Sequence, residues 1–237
     1  MRTTPWIRAI LFLLGVAGIH SGDIRAAASR DERYGVPQVK QGFALSRRGE
    51  EGAALRNFED ALRINPNNWS AYYGRAHILM RQGKWEAAMQ DVNEVVRMQP
   101  RYFASYLLRS SAHEYRGNYG AALADLKTAA SLATNEDYTT VLNQRAWFRA
   151  TCPDAAFRDG KQALADAKSL CQRSKWKDAE YLDTLAAAYA ETGDFAVAIR
   201  YQEKALALGN FASTYTASRA RNRLTLYKQG QPFRESH

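Results

Sequence analysis

Four histidines are the first candidates for chemistry at neutral pH, because imidazole exchanges protons in that range. His20 and His237 lie near the two ends of the chain, whereas His77 and His113 lie in its middle, the latter beside Glu114. Histidines with a nearby carboxylate are typical of acid–base catalysis. No two of these histidines have the spacing of zinc ligands. We therefore predict ordinary helical histidines, with no catalytic residue, no metal site and no cofactor.

The two cysteines are the next candidates. Cys152 falls in a predicted turn, and Cys171 falls in the helix that follows it. Cys171 lies about 11 residues into that helix, so a rise of 1.5 Å per residue places it roughly 16 Å from the turn, whereas a disulfide needs Cα atoms within about 7 Å. We predict no disulfide. Since no glycine-rich phosphate loop follows a strand pattern either, the sequence favours a protein that is not an enzyme.

Composition is that of a folded globular chain: 237 residues, 46% hydrophobic and 24% charged. The formal net charge of +9 admits nucleic acid, an anionic surface or an acidic protein as a partner. Five of the basic residues and one acidic residue lie within 211–237. Much of the basicity therefore belongs to the C-terminal end.

The N-terminal residues 1–28 have the three-part pattern of a secretory signal peptide. Arg2 and Arg8 flank the start of an apolar run over 9–19, and small residues over 26–29 suit cleavage. The run is too short to span a bilayer comfortably, so we expect export to the periplasm or the exterior and no stable membrane span after processing. Removal of three basic residues and one acidic residue lowers the charge to +7. An exported protein rarely meets nucleic acid, so we predict none as a partner.

A fixed period of 34 residues runs through the middle of the chain. It holds in four columns and in the two prolines Pro66 and Pro100. The columns are Gly49, Gly83 and Gly117; Ala54, Ala88 and Ala122; Phe58, Val92 and Leu126; Ala61, Val95 and Ala129. In the second unit the apolar residues follow helical spacing on both sides of Gly83, and Pro100 prevents the second helix from continuing. Each unit is therefore predicted to be a hairpin of two helices.

These columns resemble the tetratricopeptide repeat family, which has an aromatic and a small residue in the first helix, a glycine turn, and alanines and a proline in the second. Two further units, over 138–175 and 179–209, do not keep the 34-residue spacing but also resemble the family pattern. The segments 150–160 and 181–186 look like a variant repeat pair of exported bacterial members. The resemblance implies an all-α solenoid of about five antiparallel helix hairpins in a right-handed superhelix, with a C-terminal capping helix.

We predict this domain organisation: a signal peptide (1–28), a short linker (29–34), the repeat array (35–209), the capping helix (210–230) and a tail (231–237). The repeats are placed at about 35–68, 69–102, 103–136, 138–175 and 179–209. The fourth repeat contains about five extra residues in its turn, within the usual scatter of helix connections. Capping is expected because an open stack must cover its last apolar face.

The resemblance also implies a concave groove lined mainly by first helices, where a peptide or an amphipathic helix would bind. The groove candidates are Phe43, Arg47, Tyr73, His77, Arg81, Leu107, Ser111 and Trp147, with Val39, Asn143 and Asp183 beside them. Some family members hold a chaperone's C-terminal carboxylate with lysines in the groove; the matching positions here contain no lysine, which disfavours that function.

Two functions therefore remain open, besides the disfavoured enzyme using His77, His113 and Glu114. The first is a non-enzymatic scaffold that binds a protein or peptide in the groove. The alternative is binding of an anionic envelope polymer or surface through Arg219, Arg221 and Arg223, predicted to lie on the polar side of the capping helix. The oligomeric state is left open by the sequence.

Overall fold

The computed structural model describes residues 37–134, 137–211 and 214–235. Within these ranges the chain forms eleven α-helices and no strand. Ten of them form five hairpins, namely α1 (Pro37–Arg47) with α2 (Glu51–Ile64), α3 (Trp69–Arg81) with α4 (Trp85–Met98), α5 (Phe103–Tyr115) with α6 (Tyr119–Leu132), α7 (Tyr138–Thr151) with α8 (Gly160–Arg173), and α9 (Ala179–Glu191) with α10 (Phe195–Leu208). The last helix, α11 (Thr214–Lys228), packs against α10. The predicted fold class is confirmed.

Helix ends follow local chemistry. The side chain of Asp178 accepts hydrogen bonds from the backbone N–H groups of Glu180 and Tyr181, which caps the start of α9. At the turn between α3 and α4, Gly83 has φ +74°, a left-handed conformation that side chains with a Cβ rarely adopt. The glycine column, which has positive φ at Gly49, Gly83 and Gly117, therefore marks the turn inside each of the first three hairpins.

The interior consists of small and large apolar residues in alternation along the second helices. The alanine column, Ala54, Ala88 and Ala122, is fully buried. So is Phe58, whose ring lies between two first helices and approaches Gly42 and Gly74 closely. Only glycine leaves room for a ring at these two positions, so the first two hairpins pack through a ring-to-backbone contact.

First helices form an inner layer and second helices an outer one. α1 contacts α3, α3 contacts α5, and α7 contacts α9, whereas each second helix packs mainly on the first helix of its own and the next repeat. The inner layer is the concave side of such a stack. No helix in the described ranges is both long and apolar enough to cross a membrane. The predicted signal peptide and linker lie outside the described residues.

A candidate peptide-binding site on the inner layer

The N-terminal part of the predicted groove contains closely packed rings. Tyr73 packs edge-on against His77, with ring centroids 4.6 Å apart, and against Tyr102 at 5.3 Å. Phe43 packs edge-on against Phe58 at 5.0 Å. All of these except Tyr102 are buried. The predicted groove residues Phe43 and Tyr73 thus belong in part to the packing of the stack, Phe43 within the first hairpin and Tyr73 between the second and third repeats.

The two arginines of this region differ in their surroundings. Arg47 is exposed at the end of α1. Arg81 is half-buried, with Nε 3.1 Å from a carboxylate oxygen of Glu51 and Nη2 3.4 Å from Ser46 Oγ. Arg81 therefore links α3 to the first hairpin, and Arg47 is the more accessible cation.

The residues suggested for acid–base chemistry lie in three different environments. Burial and the charge of Arg81 lower the pKa of His77 to about 3, so its imidazole is neutral at pH 7. His113 Nε2 lies 3.9 Å from Asp125 Oδ2. Burial and the nearby Glu235 raise the pKa of Glu114 to about 8. No group of three or more potential metal ligands occurs in the described part of the chain.

Cys152 and Cys171 are both buried free thiols. Burial raises the pKa of Cys152 to about 11 and that of Cys171 to about 12. A thiol must lose its proton to act as a nucleophile. At neutral pH these two side chains are therefore apolar packing groups.

The middle of the inner layer is polar and buried. The Gln144 side-chain nitrogen on α7 donates to Ser110 Oγ and Ser111 Oγ on α5, each at 3.1 Å. Ser111 in turn donates to the carbonyl of Leu107 at 3.2 Å. Asn143 is fully buried, and neither of its side-chain polar atoms has a hydrogen-bond partner in the described ranges. Leu107 and Ser111 thus form part of the α5–α7 contact.

Trp147 is covered by the chain's own C-terminal segment, residues 231–235. Its side chain is only 1% exposed. The Phe233 ring lies 5.9 Å from the indole, centroid to centroid, and the indole Nε1 donates to a carboxylate oxygen of Glu235 at 3.2 Å. Trp147, a predicted groove residue, is therefore covered by the chain's own C-terminal segment, in which Glu235 lies 88 positions away in sequence.

The same segment also bonds to the ends of the inner helices. The Glu235 N–H donates to the Thr151 carbonyl at 2.9 Å. Arg234 donates to the Ala150 carbonyl at 3.3 Å and pairs with Glu191 of α9 at 2.5 Å. Carbonyl groups in the last turn of a helix have no partner within the helix. The segment supplies donors to them, as a bound peptide would.

The three arginines predicted for a basic surface do not share one face. Arg223 is fully buried and binds Asp183 of α9 through two hydrogen bonds, at 2.9 and 2.6 Å. Arg219 is mostly buried and pairs with Glu235 at 2.6 Å. Arg221 is exposed. The expectation that Arg219 and Arg223 lie on the polar outer side differs from the structure, because buried carboxylates on α9 and in the tail draw both inward.

Sequence reasoning missed a row of ion pairs inside the hairpins. Arg75 binds Asp91 through two hydrogen bonds of 2.7 Å. One repeat later, Arg109 binds Asp125 in the same way at 2.8 and 2.7 Å. The fourth repeat has a similar arrangement, in which Arg145 and Arg149 both form salt bridges with Asp166. Arg75 and Arg109 are separated by the 34-residue period, and so are Asp91 and Asp125. This spacing could have predicted that the two pairs occupy equivalent positions in successive repeats.

Comparison with known protein families places the chain in one of them. Family models described as tetratricopeptide repeat match residues 39–103, 76–137 and 179–210. These ranges cover more than half of the 237 residues. The chain belongs to the tetratricopeptide repeat family. The hairpin α7–α8, which contains the enlarged turn, lies between the matched ranges.

Solved structures with similar folds support the same assignment of the fold. A thermophilic protein of this family from Thermus thermophilus is 25% identical, with a TM-score of 0.61 over 81% of this chain and 97% of that one. A second, from Parabacteroides merdae, is 18% identical, with a TM-score of 0.59 over 94% of this chain and 92% of its own. YrrB, described as having an unusual peptide-binding site, is 18% identical, with a TM-score of 0.55 over 84% and 97%. No curated protein sequence matches significantly.

Proposed function

We propose that this protein is a non-enzymatic interaction scaffold that binds an extended peptide or a helix of a partner protein on its inner layer. One observation carries this proposal: residues 231–235 already lie against α7 and α9 in the manner of a bound peptide. An aromatic ring, a carboxylate and a backbone N–H of this segment each have a partner there. Proteins of this repeat family in general serve as scaffolds.

The inner layer has the chemistry that such binding needs. A recognition groove combines aromatic surface with a few fixed polar groups. Here Trp147 provides a ring on which residues 231–235 pack, and Arg47 provides an exposed cation. Tyr73 and His77 are buried beside this surface. In the same region the pKa of His77 is lowered to about 3, which makes its imidazole a weak base at neutral pH. These features support binding rather than turnover.

Export to the periplasm or the exterior is part of the proposal and rests on the sequence pattern of residues 1–28. Mass spectrometry of the chain from its native host would test it. A mature N-terminus near residue 29 is expected, and a mature chain that begins at Met1 would contradict export by cleavage.

Binding of an anionic polymer through the capping helix is less well supported. Arg219 and Arg223 are engaged with Glu235 and Asp183, so Arg221 is the member of the predicted trio that remains exposed. Such binding would weaken steeply with salt. Adsorption to an anionic polymer that is salt-sensitive and lost in Arg221→Ala would favour this alternative.

Selection from a random peptide library displayed on phage, with the full chain as bait, tests the scaffold proposal. Selected peptides should bind an Arg47→Ala variant about tenfold more weakly, because Arg47 is the exposed cation at the end of α1.

Arg97→Ala is the matched control, since Arg97 lies exposed on a second helix and pairs with Glu94 of the same helix. Its affinity for the selected peptides should equal that of the wild type. Failure to select any peptide, or equal binding by all variants, would overturn the proposal.

A further inference from the structure

Glu235 is unusually buried for a glutamate near the end of a chain. It is 2% exposed, whereas glutamates are almost never fully buried unless they are paired. Its carboxylate accepts hydrogen bonds from Arg219 at 2.6 Å and from Trp147 Nε1 at 3.2 Å. One helix of the cap and one of the inner layer thus combine to form a carboxylate site.

Phe233 fills an adjoining apolar site. Its ring packs on the indole of Trp147, and the guanidinium carbons of Arg219 and Arg223 each lie 5.5 Å from the ring centroid. Phe233 and Glu235 are two residues apart, and alternate side chains of an extended segment point to the same side. A ring and a carboxylate at this spacing therefore reach Trp147 together.

Backbone groups add a third element of recognition that does not depend on side-chain identity. The Glu235 N–H bonds to the carbonyl of Thr151, as an incoming strand bonds to an exposed backbone. The segment follows a turn at Gly230, with φ +69°. It is tethered beside its site, and a short tether gives an effective concentration on the order of millimolar.

We propose that the site formed by Trp147, Arg219 and the Thr151 carbonyl binds a partner segment with an aromatic residue two positions before a carboxylate, and that this segment displaces residues 231–235. The inference rests on the proposed function and names its partner chemistry. The docked tail then competes with the partner for this site. Because the tail is present at a high effective concentration, a partner segment must bind more tightly than the tail to displace it.

The test uses full-length chain and a fluorescently labelled peptide with the sequence of residues 231–237. In Phe233→Ala the tail loses its ring, so the labelled peptide should bind at least tenfold more tightly than it binds the wild type. Gln231→Ala is the matched control, because Gln231 is exposed at the start of the segment, and it should behave as the wild type. A peptide with alanine at the position of Phe233 should not bind either chain.

Hydrogen exchange on the wild-type chain is a second measurement that needs no variant. Saturating peptide should increase exchange at the Glu235 amide, which donates to Thr151 in the free protein. Unchanged hydrogen exchange at the Glu235 amide, together with equal peptide affinity of wild type and Phe233→Ala, would overturn the inference. The tail would then be a permanent structural contact that no peptide displaces. A wild-type dimer that Phe233→Ala converts to a monomer would also overturn it, since the tail of a second copy would then occupy the site.

These outcomes are separable from failure of the scaffold proposal. Library peptides that lose affinity in Arg47→Ala but are unaffected by Phe233→Ala would contradict only the inference about the tail. A library that selects no peptide on either wild type or Phe233→Ala would sink the scaffold proposal itself.

Discussion

Glu114 shows how strongly position alters the chemistry of a residue. It is buried on α5, and burial together with the charge of Glu235 raises its pKa from 4.5 to about 8. A carboxyl group that is neutral at pH 7 neither pairs with cations nor acts as a base. The sequence alone made it a catalytic candidate, because nothing in its spacing reveals that it is desolvated.

Glu114→Gln should stabilise the protein above about pH 5, by an amount that grows up to about pH 8. Between these values the unfolded chain has lost a proton that the folded chain keeps, so wild-type stability falls as pH rises. The slope is at most about 1.4 kcal/mol per pH unit, and glutamine removes it. Urea unfolding at several pH values measures the difference.

Glu86→Gln serves as the control for loss of a negative charge, since Glu86 is exposed on α4. A difference between wild type and Glu114→Gln that does not vary with pH would contradict the assignment of a neutral Glu114.

Helices in this protein are joined by features that repeat with the sequence period. The alanine column lets the two helices of a hairpin approach closely, and the Arg75–Asp91 and Arg109–Asp125 pairs bridge the same hairpins. The alanines could be identified from their spacing. The ion pairs were missed because charged residues on a helix are usually solvated, and only the hairpin brings residues 16 positions apart together.

Gly74→Ala should destabilise the stack by about 1–3 kcal/mol, the usual cost of overpacking a core. A methyl group there would lie 2.6 Å from Phe58 Cε1 and closer still to Cζ, so the ring or a helix must shift. Thermal and urea unfolding would measure the loss.

Gly120→Ala is the matched control at an open position, where the nearest atom, Phe157 Cε1, is 3.6 Å away. It should be neutral or slightly stabilising, because alanine favours helix over glycine by up to about 1 kcal/mol. Equal effects at both positions would show that the Phe58 contact is unimportant.

At the scale of the whole molecule, the C-terminal end is closed by contacts between distant parts of the chain. The carboxylate of Asp183 on α9 accepts hydrogen bonds from Arg223 of α11 and from Gln202 of α10, and all three side chains are buried. The tail then returns to α7. The last two repeats and the cap therefore form one unit, in which the cap seals the stack and the tail occupies part of its inner layer.

Arg223→Ala should destabilise this end by about 3–5 kcal/mol, since it leaves a buried carboxylate without its cation. Hydrogen exchange should rise in α9, α10 and α11 but not in α2 or α4, because each repeat contacts only its neighbours. Arg221→Ala, at an exposed position on the same helix, should change neither. Exchange that rises equally along the whole chain would contradict a locally closed end.

The sequence by itself determined the fold, the hairpins and the family, because burial of a helix face depends on spacing along the chain and the 34-residue period repeats that spacing. Tertiary structure alone decided that Arg223 lies inside, that Glu114 is neutral and that Trp147 is covered. These outcomes join residues up to 88 positions apart, outside any repeat. The energies that decide these three outcomes come from desolvation and charge pairing at single places in the fold. A repeating sequence pattern carries no information about such single places.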